Sequence, residues 1–266
     1  MWRAELLTQF RRRRVKALLL VLAAIPALLA ILVYASGGPS TGEGPTFLDQ
    51  VTHNGMFAAL AGLTVTVPFF LPLTVAVMAG DTVAGEASLG TLRYLLVRPS
   101  GRSRLLLVKA GTAAAFCLAA GLAVAAGGLI AGAILFPLGR VTTLSGDTLS
   151  LGSGMLRTVV AALVVGASLF GMAAIGLFIS TLTDVPVGAM AATVGFAVLS
   201  AVLDGVPQVH AIHPWLFTHN WFAFSDLLRT PIRWTAIWQD LTLQLGYMAV
   251  FGAAAWARFT TKDVLA

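Results

Sequence analysis

Charged residues form only 11% of this 266-residue chain, whereas 58% are hydrophobic and the mean hydropathy is +0.89. A soluble domain of this length needs a far more polar exterior, so a soluble globular fold is excluded. Cysteine is almost absent. The single one, Cys117, lies inside an apolar run, which excludes a disulfide framework and a cysteine-built metal centre. Lysine is rare too: only Lys16, Lys109 and Lys262 occur, and none follows glycine or precedes Ser or Thr. The chain therefore lacks a Walker A loop and does not bind ATP through one. No His-Glu-x-x-His motif is present, which removes the zinc metalloproteases. Gly38 to Gly42 matches Gly-x-Ser-x-Gly only on paper. Its Ser40 sits in a Gly/Pro-rich turn, and all four histidines fall outside the apolar runs.

Ionisable side chains are nearly missing from those runs. Asp81, Asp184, Asp204 and Asp240 are all expected at span ends. An ion-driven transporter needs a counter-charge at mid-membrane depth, so ion coupling is not expected. Thr64, Thr66, Ser168 and Thr193 are modest polar exceptions in a largely apolar interior. That interior suits a hydrophobic or amphipathic substrate, moved by energy supplied from elsewhere.

What the chain does have is long, continuous apolar runs, several exceeding roughly 18 residues. Continuity rather than alternation favours helices over a β-barrel. The expected fold is all-α and polytopic, a single transmembrane domain over residues 1–266. Six spans are expected at about 17–35, 56–79, 109–136, 157–181, 187–204 and 240–257. Arg11 to Arg14 and Lys16 ahead of an apolar core resemble a signal peptide, but the run to Ala35 is long enough to be a retained first span. Before it, Trp2, Leu6 and Phe10 repeat at helical spacing, as in an amphipathic helix lying in the membrane surface.

Basic residues then set the orientation. Arg3, Arg11 to Arg14, Lys16, Arg93, Arg98, Arg102, Arg104, Lys109, Arg258 and Lys262 fall on one side, leaving Arg140, Arg157, Arg229 and Arg233 opposite. Positive charge marks the cytoplasmic side, so both termini are expected there, in a bacterial cytoplasmic membrane. The pI near 10.2 follows from these juxtamembrane cations and not from a nucleic-acid partner. On the outside, the segment of about 205–239 holds four of the six tryptophans and Pro207, Pro214 and Pro231. It reads as a re-entrant or interfacial segment before the sixth span. His210, His213 and His219 cluster in it; they are the weak candidates for metal ligands, and no metal site is expected. Gly128-x-x-x-Gly132 is a small-residue spacing for close helix packing, with no partner helix assigned.

The connector from Asp81 to Lys109 is exceptional, with five of the seventeen basic residues in a charge-poor chain. It contains Glu86, Gly90-Thr91-Leu92, Leu95-Leu96, Pro99, Arg102, Arg104 and Lys109, and the chain ends near Phe259-x-x-Lys262-Asp263. In these motifs the chain resembles the ABC-2 type permeases, the membrane subunits of type V ABC exporters. The resemblance implies a coupling helix over about 83–97 that docks into a separate ATPase. Its coupling residues would be Glu86, Leu89, Gly90, Thr91, Leu92, Arg93, Leu95, Leu96, Pro99, Arg102 and Arg104. Placed at the start of such a helix, Glu86 would complement the dipole, and the leucines would bury against the partner.

The expected function is the permease subunit of an ATP-driven exporter of a drug, antibiotic or lipid, and not an enzyme. Its partners would be an ABC ATPase, a second copy or a related permease, and the bilayer. This chain would bind no cofactor itself; ATP and magnesium would sit on the ATPase. The alternatives are a permease of a metal- or cofactor-maturation system working with a periplasmic partner, and a membrane assembly protein without transport.

Overall fold

A computed structural model of the chain describes residues 2–37, 48–90, 101–139, 141–142 and 145–261. Its elements in order are α1 (Trp2–Arg11), α2 (Arg13–Ala35), α3 (Leu48–Val51), α4 (Phe57–Thr66), α5 (Phe70–Ser88) and α6 (Arg102–Leu135). There follow β1 (Val141–Thr142), β2 (Thr148–Leu149), α7 (Leu151–Ser168), α8 (Phe170–Leu182), α9 (Pro186–Asp204) and α10 (Thr235–Thr261). Two 3₁₀ helices, Pro207–Trp215 and Ala223–Leu228, lie between α9 and α10. The all-α expectation needs one small correction, because β1 and β2 pair as a short antiparallel hairpin.

Four helices are long and apolar enough to cross a membrane: α2, α6, the run Leu151–Leu182 formed by α7 and α8, and α9. The bent pair α4 and α5 would make a fifth. This is a multi-pass membrane protein. Its apolar surface agrees: Leu20, Leu28 and Leu32 on α2 and Val198, Leu199 and Val202 on α9 are all more than half exposed. Such stripes are stable against lipid tails and costly against water. The remaining long helix, α10, falls short of that apolarity because Gln239, Asp240 and Gln244 interrupt its first half.

The expected second span over 56–79 is not one continuous helix. It breaks at Val67 to Phe69, where α4 and α5 meet at 59°. Pro68 explains the break, because it lacks an N–H and its ring clashes with the preceding turn. Just before it, the Thr64 and Thr66 hydroxyls donate to Leu60 O at 2.9 Å and Gly62 O at 2.8 Å, which further bends a helix. The second half then runs on to Ser88, well beyond the expected end.

The glycine spacing in α6 has a definite partner. Gly128 lies against the backbone of Ala58 and Ala59 on α4, and Gly132 against that of Gly55. A methyl group at Gly132 would collide with the Gly55 carbonyl, so this approach of two backbones requires glycine. The Gly55 N–H donates to Pro137 O at 3.1 Å beside it. The core therefore forms where α2 and α4 close on α6, with Leu22, Leu60, Leu63, Phe116 and Val124 buried among them.

Candidate functional site

The chain ends of α1 and α10 lie at the same end of the bundle. Gln9 of α1 donates to Met78 Sδ at 3.7 Å. Arg102, the first residue of α6, donates to Thr260 O at 3.0 Å, and Trp256 donates to Ser103 Oγ at 2.8 Å. The expected connector residues Arg102 and Arg104 thus belong to the first turn of α6, whose helix starts seven residues earlier than the span boundary at 109. Arg104 faces solvent.

At this end sits a buried ion pair. Lys109, only 3% exposed, places Nζ 2.6 Å from Glu86 Oε1 and donates to Thr82 O at 2.8 Å. Glu86 is itself 15% exposed. Gln9, Arg12, Asp81 and Thr112 line the small polar pocket around the pair, so α1 closes over it. Removing either partner strands a charge away from water, which makes the pair a fixed joint between α5 and α6. Arg14 and Asp81, at 3.8 Å and with Arg14 almost fully exposed, add little.

Ser180 fastens the same stretch of α5 to α8. Its hydroxyl donates to Gly80 O at 2.7 Å and accepts from the Val83 and Ala84 N–H groups at 3.0 and 2.9 Å. Three helices therefore converge on residues 80–86: α5 itself, α6 through Lys109 and α8 through Ser180.

Glu86 does not open a separate helix, as the dipole argument expected. It lies in the last turn of α5, where a carboxylate faces the unfavourable end of the dipole. Lys109 is what offsets that placement. The helix ends at Leu89 and Gly90, and Gly90 takes a positive φ of 68°, the backbone state that favours glycine at a helix end. Leu89, 77% exposed, stands free of the bundle. Thr91, Leu92, Arg93, Leu95, Leu96 and Pro99 lie outside the described residues, as does the second half (91–97) of the coupling helix expected at 83–97, whose first residues are the end of α5.

The far end of the bundle is capped by the segment between α9 and α10. Phe217, Trp221, Phe224, Leu227 and Leu228 are buried there, while Trp215, Trp234 and Trp238 are exposed. The Arg157 guanidinium on α7 donates to Leu227 O at 2.9 Å and Arg229 O at 3.1 Å, tying the segment down. The segment thus packs part of its aromatic side chains against the bundle.

Under it lies a polar cluster that the sequence argument missed. Asp240, expected at a span end, is fully buried. The Ser168 hydroxyl donates to Asp240 Oδ2, and Gln244 Nε2 donates to Asp240 Oδ1 at 3.0 Å and to Phe217 O at 2.8 Å. The Gly171 N–H donates to Gln244 Oε1 at 3.2 Å, and the Trp221 indole donates to Ser168 O at 3.0 Å. Leu169, between α7 and α8, is where the span breaks and frees these groups. The available signal was Asp240 and Gln244 at i, i+4 on an otherwise apolar helix face. Asp240→Ala should lower the melting temperature by an amount equivalent to about 1–3 kcal/mol, whereas Asp240→Asn keeps most of the stability. Thermal melts of the purified chain in one detergent check this.

Two grooves flank α10. One, of about 790 Å³, is lined by Trp215, His219, Gln239, Tyr247 and Phe251 among others. The second, of about 510 Å³ and more apolar, lies between α6, α8 and α10 beside Leu107, Phe170, Leu177, Met248 and Trp256. His210 and His213 lie in the first 3₁₀ helix and His219 just beyond it, beside the end of α9.

Among curated proteins the chain is similar to the "Probable ABC transporter permease protein NosY" of Pseudomonas aeruginosa, with 35% identity over 91 residues. That match covers 34% of this chain and 30% of the relative. It supports an ABC permease at the coarse level; the family model that fits is not the expected ABC-2 one. Residues 19–265 match the family described as "Protein of unknown function (DUF2705)", and the chain belongs to that family.

Proposed function

We propose that this chain is the transmembrane subunit of an ATP-driven ABC exporter. The observation that carries the reading is the local identity with a probable ABC permease. An ABC permease works with an ATPase, and this chain lacks a Walker A loop of its own. The six-span arrangement, with α10 as the last span and both termini in the cytoplasm, is part of the same proposal. The adjacency of α1 and the end of α10 supports it.

In this mechanism the connector after α5 docks on the ATPase through Arg93, Arg98 and its leucines. ATP-driven closure of the ATPases pushes the connector. Because Glu86 and Lys109 join α5 to α6, and Ser180 joins α5 to α8, the push moves three helices together. The role of Glu86 is then to transmit force inside the bundle, and not to touch the ATPase. The apolar groove between α6, α8 and α10 suits a hydrophobic or amphipathic substrate entering from the bilayer. A second copy or a related permease completes the pathway.

Replacing both Arg93 and Arg98 by glutamate tests the docking. The variant should insert and melt like the parent yet retain less than about a tenth of the ATPase in isolated complexes. Undiminished ATPase capture by that variant would remove the connector from the mechanism.

A further inference from the structure

We propose that Asp204, His213 and His219 form a binding site for one divalent cation of the zinc or copper class at the far end of the bundle. The site is built by the turn that follows α9. Asp204 is the last residue of that helix, and Gly205 and Pro207 fold the 3₁₀ helix Pro207–Trp215 back across its end. This returns two histidines to a carboxylate nine and fifteen residues earlier. His219 Nδ1 lies 2.6 Å from Asp204 Oδ1 and His213 Nδ1 lies 4.0 Å from it. One ligand atom from each of the three residues falls within 4.8 Å of the others.

The tautomer of His213 points to a cation. Its Nε2 is 3.2 Å from the carbonyl oxygen of Val206. A carbonyl can only accept, so Nε2 carries the hydrogen and donates it. In the neutral ring Nδ1 is then a bare lone pair, and it faces the Asp204 carboxylate. Lone pair against carboxylate repels unless something positive stands between them. A ring whose far N–H is held by a backbone carbonyl is also how metal-binding histidines are oriented.

The distances suit a first-row metal. With metal–ligand bonds of about 2.0–2.2 Å, neighbouring tetrahedral ligands stand roughly 3.3 Å apart. The two measured separations from Asp204 bracket that value, so small side-chain rotations are sufficient. In the metal-free site His219 Nδ1–H donates to Asp204. On metal entry that hydrogen leaves Nδ1, a hydrogen is taken up at Nε2 through water, and the Nδ1 lone pair turns to the ion. The charge is reasonable as well: one carboxylate and two neutral imidazoles leave a divalent ion with net charge +1. Two nitrogens and one oxygen favour zinc, copper or nickel over magnesium or calcium. A fourth position is open to water or to His210, whose ring centre is 6.2 Å from that of His213.

Access is from the solvent side, since the side chains of Asp204 and His219 are 27% and 36% exposed. His219 also borders the larger groove beside α10, so a bound ion would sit at its rim. The inference does not depend on the exporter reading, because it concerns binding and not transport.

Titration calorimetry of the chelator-stripped, untagged full-length chain with Zn²⁺ and with Cu²⁺ tests it. One ion per chain should bind at micromolar concentration or below, and Mg²⁺ should not compete. His213→Ala, His219→Gln and Asp204→Asn should each weaken binding by about tenfold or more, while His53→Ala leaves it unchanged. Added Zn²⁺ should raise the melting temperature of the parent but not of these three variants. Equal melting of parent and variants without metal separates lost ligands from lost fold. No saturable binding by the parent, or binding of equal strength in all variants, would overturn the proposal.

Discussion

Replacing Lys109 by methionine should destabilise the chain by about 3–5 kcal/mol, the usual cost of leaving one partner of a buried ion pair behind. The methionine fills a similar volume, so the loss is electrostatic. It takes the ammonium away from Glu86, which is 15% exposed, and removes the donor to Thr82 O. That carboxylate sits in the last turn of α5, where the helix dipole opposes it. Adding Glu86→Gln to Lys109→Met should therefore recover most of the stability, since the double variant buries no charge. Melting temperature and membrane abundance of the four proteins in the cycle measure the coupling. Equal melting of Lys109→Met and the parent would show that the pair carries no such energy.

A second large effect is steric. Gly132→Val should cost at least about 1–3 kcal/mol, because the new side chain would overlap the Gly55 backbone and not a movable side chain. Relief requires α6 to withdraw from α3 and α4, which opens the core around Leu60 and Phe116. Gly139→Val is the internal control, as nothing lies within 4 Å of a methyl group there. Comparing the two variants by thermal melt in the same detergent isolates the backbone contact from the general effect of a β-branched residue.

Much of the architecture was legible in the sequence because apolar run length is a one-dimensional property. The runs behind α2, α6, α7–α8 and α9 needed no partner to be recognised. The bend at Pro68 was also written in the chain, but proline in a membrane helix is tolerated often enough to be passed over. Pairings across sequence were not legible. Glu86 and Lys109 both stood out in the charge-rich connector, yet nothing in their spacing shows that the chain doubles back to bury one against the other. The burial of Asp240 was hidden for the same reason: its partner Ser168 lies 72 residues away, at a break in another span. The histidines drew notice as a group, whereas Asp204 was counted as a span end until the turn after α9 brought them together.

The Glu86–Lys109 pair joins α5 to α6 at the end of the bundle where we propose that an ATPase docks. The central claim is that an ATPase acts on the connector between α5 and α6. The most direct measurement is isolation of the full-length chain from its native membrane in mild detergent, followed by mass spectrometry and an assay of ATP hydrolysis. The account predicts a co-isolated subunit bearing a Walker A loop, in a one-to-one ratio with the chain, and hydrolysis in the isolated complex. Recovery of the folded chain without any such subunit, and without ATP hydrolysis, would contradict it.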